Sequence, residues 1–273
     1  MGEAMRETGR DRLNAMFAAM RASGRAALLP YLTAAIPTFE ASVRLFKAMA
    51  DAGADGFEVG IPYADPLMDG PVIMRAGRQA LDAGVTVPVA LDLVARVVEE
   101  TGKPVLAMTY VNPVLRRGIE RFFNEVAATG AVGLIIADLP ADEAGPFLEA
   151  ASATGLGMSL FVAPTTDDAR LQAALDLDPA FIYAIAEVGV TGERDDASSN
   201  TERMAARIRE RSDTPIVFGV GISTPDQAAA AGRHGDGVIV GSAIVRRVID
   251  AGSAAEAESA VASFVGDIAA ALA

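Results

Sequence analysis

No cysteine occurs in the 273 residues. Disulfides, thiolate-bound zinc and thiol nucleophiles are therefore excluded together. Histidine is represented by His234 alone, which leaves a histidine-bound metal site without a ligand set. Lysine is confined to Lys47 and Lys103. No apolar run approaches the ~18 residues that a membrane-spanning helix requires. The first dozen residues, with Glu3, Arg6, Glu7, Arg10, Asp11 and Arg12, lack the apolar centre of a signal peptide, so the expected location is cytoplasmic. Basic charge is also scarce: 23 Lys and Arg stand against 36 Asp and Glu, for a net charge of −13. That balance disfavours nucleic acid or an anionic membrane as partner. An anionic ligand would have to be held by local donors against the field.

What the chain does have is apolar residues, 51% of the total, enough for a large core. They recur in eight short runs rich in Val, Ile, Leu and Phe: Ala27–Leu32, Gly56–Gly60, Pro104–Met108, Gly133–Ile136, Gly157–Val162, Phe181–Ala184, Pro215–Gly219 and Gly237–Val240. Between them lie segments of helical spacing, namely Glu40–Ala52, Val87–Thr101, Ile119–Thr129, Asp142–Thr154, Asp167–Leu175, Thr201–Arg211 and Pro225–Ala231. Near-continuous apolar strands alternating with amphipathic helices indicate a parallel sheet with covered faces. Eight such units predict an α/β protein, a (β/α)8 TIM barrel spanning 1–273 as a single domain. An extra N-terminal helix near Asp11–Ala22 would cap the barrel bottom, and Ala254–Ala271 would be the last outer helix. A doubly wound open sheet is the alternative, because periodicity does not report closure.

In such a barrel the chemistry sits where strands end, on the loops leading into helices. His234 lies in the turn before the eighth strand, on the wrong face, and reads as a surface residue. Lys47 is inside a helix and Lys103 precedes the third strand, so neither is placed to form a Schiff base. Carboxylates remain.

Three of them fall in Phe57–Pro71, which reads F-E-V-G-I-P-Y-A-D-P-L-M-D-G-P. Glu58 sits inside an apolar strand, where an acid is costly unless paired or used. Alternation puts Phe57 and Val59 on one side and Glu58 on the other, pointing Glu58 into the barrel. Desolvation there would raise its pKa toward the range of a general acid/base. A structural ion pair inside the barrel is the competing reading. Asp69 precedes Gly70-Pro71 at the apparent start of a helix, so capping and catalysis both fit it. Asp65 reads as loop structure.

A second constellation is glycine-rich: Gly219-Val220-Gly221-Ile222-Ser223 after the seventh strand and Gly241-Ser242 after the eighth, with Gly192 after the sixth. Loops at those barrel positions hold phosphate groups through backbone N–H groups in many enzymes. Glycine also serves ordinary turns, so the weight lies in three such turns at adjacent strand ends.

The run Phe57–Pro71 resembles the E-x-G-x-P-x-x-D-P-x-x-D-G-P pattern of the tryptophan synthase alpha chain family. The resemblance continues in order through Leu29-Pro30-Tyr31-Leu32-Thr33, Met108–Pro113, Ala137-Asp138-Leu139-Pro140, Gly189-Val190-Thr191-Gly192, Gly219–Ser223 and Gly241–Val245. It implies a lyase of tryptophan biosynthesis that cleaves indole-3-glycerol phosphate to indole and glyceraldehyde 3-phosphate. By the same resemblance Glu58 and Asp69 take the catalytic carboxylate positions, and Tyr183 matches an active-site tyrosine. Gly192, Gly221, Gly241 and Ser242 match the phosphate site. No metal and no cofactor is implied for this chain. Pyridoxal phosphate belongs to a beta-chain partner, expected in a complex of two alpha and two beta chains.

Two departures from the family pattern stand out. Thr33-Ala34-Ala35-Ile36-Pro37 replaces T-x-G-x-P after the first strand, and Ala186-Glu187-Val188 replaces a Ser-containing pair before Gly189. A carboxylate near a phosphate dianion would weaken its binding if it pointed inward. The polar, acidic segment Glu193–Asn200 reads as a lid over the site. A stand-alone indole-3-glycerol phosphate lyase releasing free indole and a non-catalytic regulatory subunit are the competing functions.

Overall fold

The computed structural model describes residues 7–185, 195–219 and 221–273. Eight parallel strands close into a barrel in sequence order: β1 (Ala27–Thr33), β2 (Phe57–Gly60), β3 (Val105–Thr109), β4 (Gly133–Ile136), β5 (Gly157–Val162), β6 (Phe181–Ile185), β7 (Ile216–Gly219) and β8 (Gly237–Val240). The ring shuts by pairing of β1 with β8, Ala27 beside Gly237 through Pro30 beside Val240. Closure rules out the open sheet. Nearly every strand residue is buried, as expected when side chains fill the barrel on one face and meet helices on the other.

The helices are α1 (Gly9–Ala22), α2 (Phe39–Asp51), α3 (Pro71–Asp82), α4 (Val87–Thr101), α5 (Val111–Arg117), α6 (Ile119–Ala128), α7 (Gly145–Thr154), α8 (Asp168–Asp176), α9 (Asp195–Arg209), α10 (Pro225–Gly232), α11 (Ser242–Asp250) and α12 (Ala254–Leu272). Among the described residues none is long and apolar enough to cross a membrane. Helical spacing alone does not delimit three of them. The α3 segment follows a Pro/Gly-rich run, while α5 and α11 are only seven and nine residues long, too short to repeat a period clearly. The expected helix 142–154 divides into a 3-10 turn over Ala141–Glu143 and α7, with Pro146 in the first turn of α7.

The N-terminal helix does close the barrel bottom. Thr8 and Asp11 form a reciprocal capping box, and Leu13, Met16 and Phe17 of α1 are buried. The Arg10 N–H donates to Gly155 O at 2.9 Å and the Arg12 guanidinium to Gly130 O at 3.2 Å, in the turns that lead into β5 and β4. Those turns lie at the strand starts, the face associated with stability rather than chemistry.

Two carboxylates clamp the same face. Asp55 accepts from the Leu28 N–H at 2.9 Å and from Arg25 at 2.7 and 2.8 Å. Asp236 accepts from the Ile216 N–H at 2.7 Å, from Arg21 at 2.8 Å, and from Arg209. Each acid precedes one strand and grips the start of its neighbour.

Candidate active site

The orientation of β2 decides what the barrel mouth contains. Phe57 packs edge-on against Phe46 of α2, with ring centroids 5.2 Å apart, so the odd residues of the strand face the helix layer. Glu58 consequently points inward, paired in register with Tyr31 of β1 and Leu106 of β3. It lines a cavity of about 560 Å³ at the ends of the strands. The side chain is only 3% exposed, and its Oε2 has no hydrogen-bond partner among the described residues. Among the described residues it forms no ion pair either, which weighs against the structural reading of this acid.

An unpaired carboxyl in that position is far easier to bury neutral than charged. Burial pushes Glu58 from 4.5 up to about 8, and the nearby Asp69 carboxylate adds to the rise. Asp69 is half-buried on the same cavity wall and is raised from 3.8 to about 6, mainly by burial. Tyr110 opposes that rise from close by, although its Oη makes no hydrogen bond of good geometry. The cap position of α3 belongs to Gly70, and no side chain caps that helix. Asp69 is therefore one residue outside the helix, and its carboxyl is free for the cavity.

Two further phenols complete this end. Tyr31 and Tyr183 both line the cavity; burial holds their hydroxyls well above the ordinary range, with Asp69 and Glu58 respectively adding to it. They are neutral at any physiological pH. Tyr31 Oη shares a hydrogen bond with Thr33 Oγ1 at 3.2 Å. Each ring lies hard against a glycine on the neighbouring strand. A Cβ on Gly60 would collide with the Tyr31 hydroxyl, and one on Gly219 with Tyr183. Here the absent side chain is a packing requirement. Phe161 of β5 stacks on Tyr183 at 4.6 Å and gives the cavity an aromatic wall, continued by Met108, Ile135 and Ile239.

The glycine turns arrive at the same cavity. Gly221, Ser223, Gly241 and Ser242 all line it, and Gly241 sits 3.4 Å, measured from an ideal Cβ, from the Tyr31 ring. Gly241 is the cap residue of α11 and no side chain occupies the cap; Ile244 and Val245 donate to Gly241 O, which leaves the Ser242 and Ala243 N–H groups at the cavity end without a side-chain acceptor. Gly221 has φ of 87°, a left-handed conformation that glycine adopts without strain. Gly192, Glu187 and the start of the expected lid lie outside the described residues.

The cavity thus brings together Glu58, Asp69, Tyr183, Gly221, Gly241 and Ser242. Asp65 is exposed and does not reach it. His234 is half-exposed in the α10–β8 turn, and Lys47 pairs with Glu100 at 2.7 Å on the outer surface. Among the described residues no group of three His, Cys, Asp or Glu side chains is placed to hold a metal ion. Sequence reasoning missed Tyr31, Tyr110, Phe161, Arg246 and Arg247 as site residues. Tyr31 was signalled by its place in the Leu29–Thr33 stretch of the resemblance, and the two arginines by their position one turn after Gly241-Ser242. In the β1–α2 loop, Ala35 keeps φ of 60° although it is not glycine. That is the position where the family pattern has its glycine.

Residues 17–272 match the family model described as tryptophan synthase alpha chain. The Streptomyces coelicolor tryptophan synthase alpha chain is 42% identical over 257 residues, covering 94% of this chain and 95% of that protein. The Salinispora tropica tryptophan synthase alpha chain is 44% identical over 241 residues, covering 88% and 90%. A solved structure of Mycobacterium tuberculosis tryptophan synthase superposes with a TM-score of 0.86 at 38% identity, covering 96% of this chain and 98% of its own. A barrel of this topology, with paired acids beside an amide-lined turn, matched end to end at such identity, leaves one conclusion: this chain belongs to the tryptophan synthase alpha chain family.

Proposed function

We propose that this chain, an alpha-chain lyase acting on indole-3-glycerol phosphate, performs the cleavage through Glu58 and Asp69 as carboxylates with separated roles. The observation that carries this reading is one cavity wall shared by two carboxyls in unequal surroundings: Glu58, 3% exposed and with Oε2 unpartnered among the described residues, is pushed to about 8, and half-buried Asp69 to about 6. At neutral pH Glu58 holds its proton and Asp69 is ionised, the states the two steps need.

A retro-aldol cleavage needs an electron sink, and indole supplies one once its C3 is protonated. Glu58 donates its proton to C3 while Asp69 accepts a hydrogen bond from the ring N–H and stabilises the positive charge that develops there. The Glu58 carboxylate then removes the proton from the hydroxyl on the carbon attached to C3. The C–O bond becomes the aldehyde, the C3–C bond breaks, and its electron pair returns to the ring as indole forms. Glu58 ends protonated, as it began. Tyr183, with Phe161 stacked on it, bounds the space for the indole ring. The N–H groups at Gly221, Gly241 and Ser242, with Gly192, hold the phosphate.

Leu67, Met68, Met74 and Leu115 are large apolar side chains 45–80% exposed, on segments that follow β2 and β3 at the mouth side. Such exposure suits docking of a beta chain over the mouth. The test is incubation with indole-3-glycerol phosphate alone, then with a beta chain and serine, following indole and tryptophan. Slow indole release alone and faster conversion with the partner are expected. Full speed without a partner would make it a stand-alone lyase, and no indole in either arm would refute the activity.

A further inference from the structure

The ionised Asp69 that serves the chemistry also opposes the ligand. A phosphorylated substrate must enter a cavity holding Glu58 and Asp69, in a chain of net charge −13. Backbone N–H groups carry only partial charge. The cavity wall also carries two arginines, Arg246 and Arg247, and they are not equivalent.

Arg247 is already engaged. Its Nη1 donates to Ala243 O at 2.7 Å, and its guanidinium lies 3.5 Å from the centre of the Phe264 ring. Arg246 is exposed and, among the described residues, has neither an ion pair nor a side-chain hydrogen bond. Four other described cations are likewise without an ion pair or side-chain hydrogen bond among the described residues, Lys103, Arg116, Arg170 and Arg233, and none of them lines the cavity. Arg246 is four residues after Ser242, on the same face of α11, and helical side chains lean toward the helix N-terminus. Its guanidinium is thus directed toward the turn where the Gly241 and Ser242 N–H groups converge.

We propose that Arg246 is a substrate-binding residue that pairs with the phosphate and sets the preference for a phosphorylated ligand. This rests on the lyase reading for its substrate, though the ligand it recognises is simply a phosphate dianion. A planar fork of donors suits that geometry. Because the side chain is exposed, its effect falls on affinity and is screened by salt.

The test compares Arg246→Ala and Arg246→Lys with the unaltered chain in the presence of its beta partner. Arg246→Ala is expected to raise KM by about two- to fivefold at low ionic strength with kcat within about twofold, the difference shrinking in ~0.5 M salt. Arg246→Lys should recover most of the loss. The inhibition constant for inorganic phosphate should rise by the same factor, while indole binding, followed by its own fluorescence in a chain without tryptophan, stays unchanged. Unchanged KM and phosphate inhibition in Arg246→Ala would overturn the proposal. So would a Lys variant as impaired as Ala together with weakened indole binding, which would mark a structural role. Were the unaltered chain to release no indole, the lyase reading would fail, and calorimetric titration of phosphate into the same variants would still decide Arg246.

Discussion

Replacing Glu58 with Gln removes a charge that the fold resists, and the consequence is calculable. In the unfolded chain this carboxyl titrates near 4.5, whereas in the barrel it does so at about 8. Below pH ~4.5 both states hold the proton and the group is neutral to stability. Between ~4.5 and ~8 the folded chain keeps a proton that the unfolded chain has released, so unfolding becomes easier by about 1.4 kcal/mol for each pH unit. At pH 7 the accumulated penalty is on the order of 3 kcal/mol, and by pH 8 it approaches ~5 kcal/mol. Glutamine cannot ionise and escapes it. Glu58→Gln should therefore match the original chain in stability near pH 5 and exceed it progressively toward pH 8. The expected rise in Tm at pH 7 is roughly 5–10 °C for a chain of this size. Urea melts at half-unit pH intervals supply the curve, with indole release measured on the same samples. Cleavage should be abolished while substrate still binds. A stability difference that does not change between pH 5 and 8 would refute the burial and neutral state assigned to this acid. Undiminished turnover would refute its role.

Since the active form has Glu58 protonated and Asp69 ionised, kcat/KM should be bell-shaped, falling below about 6 as Asp69 gains a proton and above about 8 as Glu58 loses one. A profile flat across both limits would contradict the assignment. Asp69→Asn should lower cleavage by ~10²-fold or more and shift the basic limb of the residual activity to lower pH, because the Asp69 charge is one cause of the raised Glu58. Gly219→Ala should displace the Tyr183 ring and reduce kcat with the fold retained; a variant with normal turnover would show that the ring's position is unimportant. Asp236→Ala frees Arg21, Arg209 and the Ile216 N–H at the barrel bottom, and should cost about 3 kcal/mol of stability by denaturant melts. Activity per folded molecule should be unaffected, since that face lies away from the cavity.

The amino-acid pattern was enough for eight strands, most helices and the barrel class, because buried parallel strands produce uninterrupted apolar runs whatever surrounds them. Gly133–Ile136, Gly157–Val162 and Gly237–Val240 run as the composition predicts. Period-two alternation was also enough to turn Glu58 inward, since Phe57 needed the helix layer. What the pattern could not carry was anything set by residues far apart in the chain. Closure depends on β1 meeting β8, about 200 residues on, and no local periodicity encodes that pairing. The cap of α3 fell to Gly70 rather than Asp69, a one-residue difference that leaves the carboxyl facing the cavity. The lifted proton affinities, the fit of Tyr31 and Tyr183 over Gly60 and Gly219, and the contrast between Arg246 and Arg247 all arise from neighbours brought by other strands and helices. Sequence thus determined which acids and glycines were available and on which end of a barrel they would stand. Tertiary structure alone decided their charge states and partners, because desolvation and contact are properties of the enclosed space and not of the chain order.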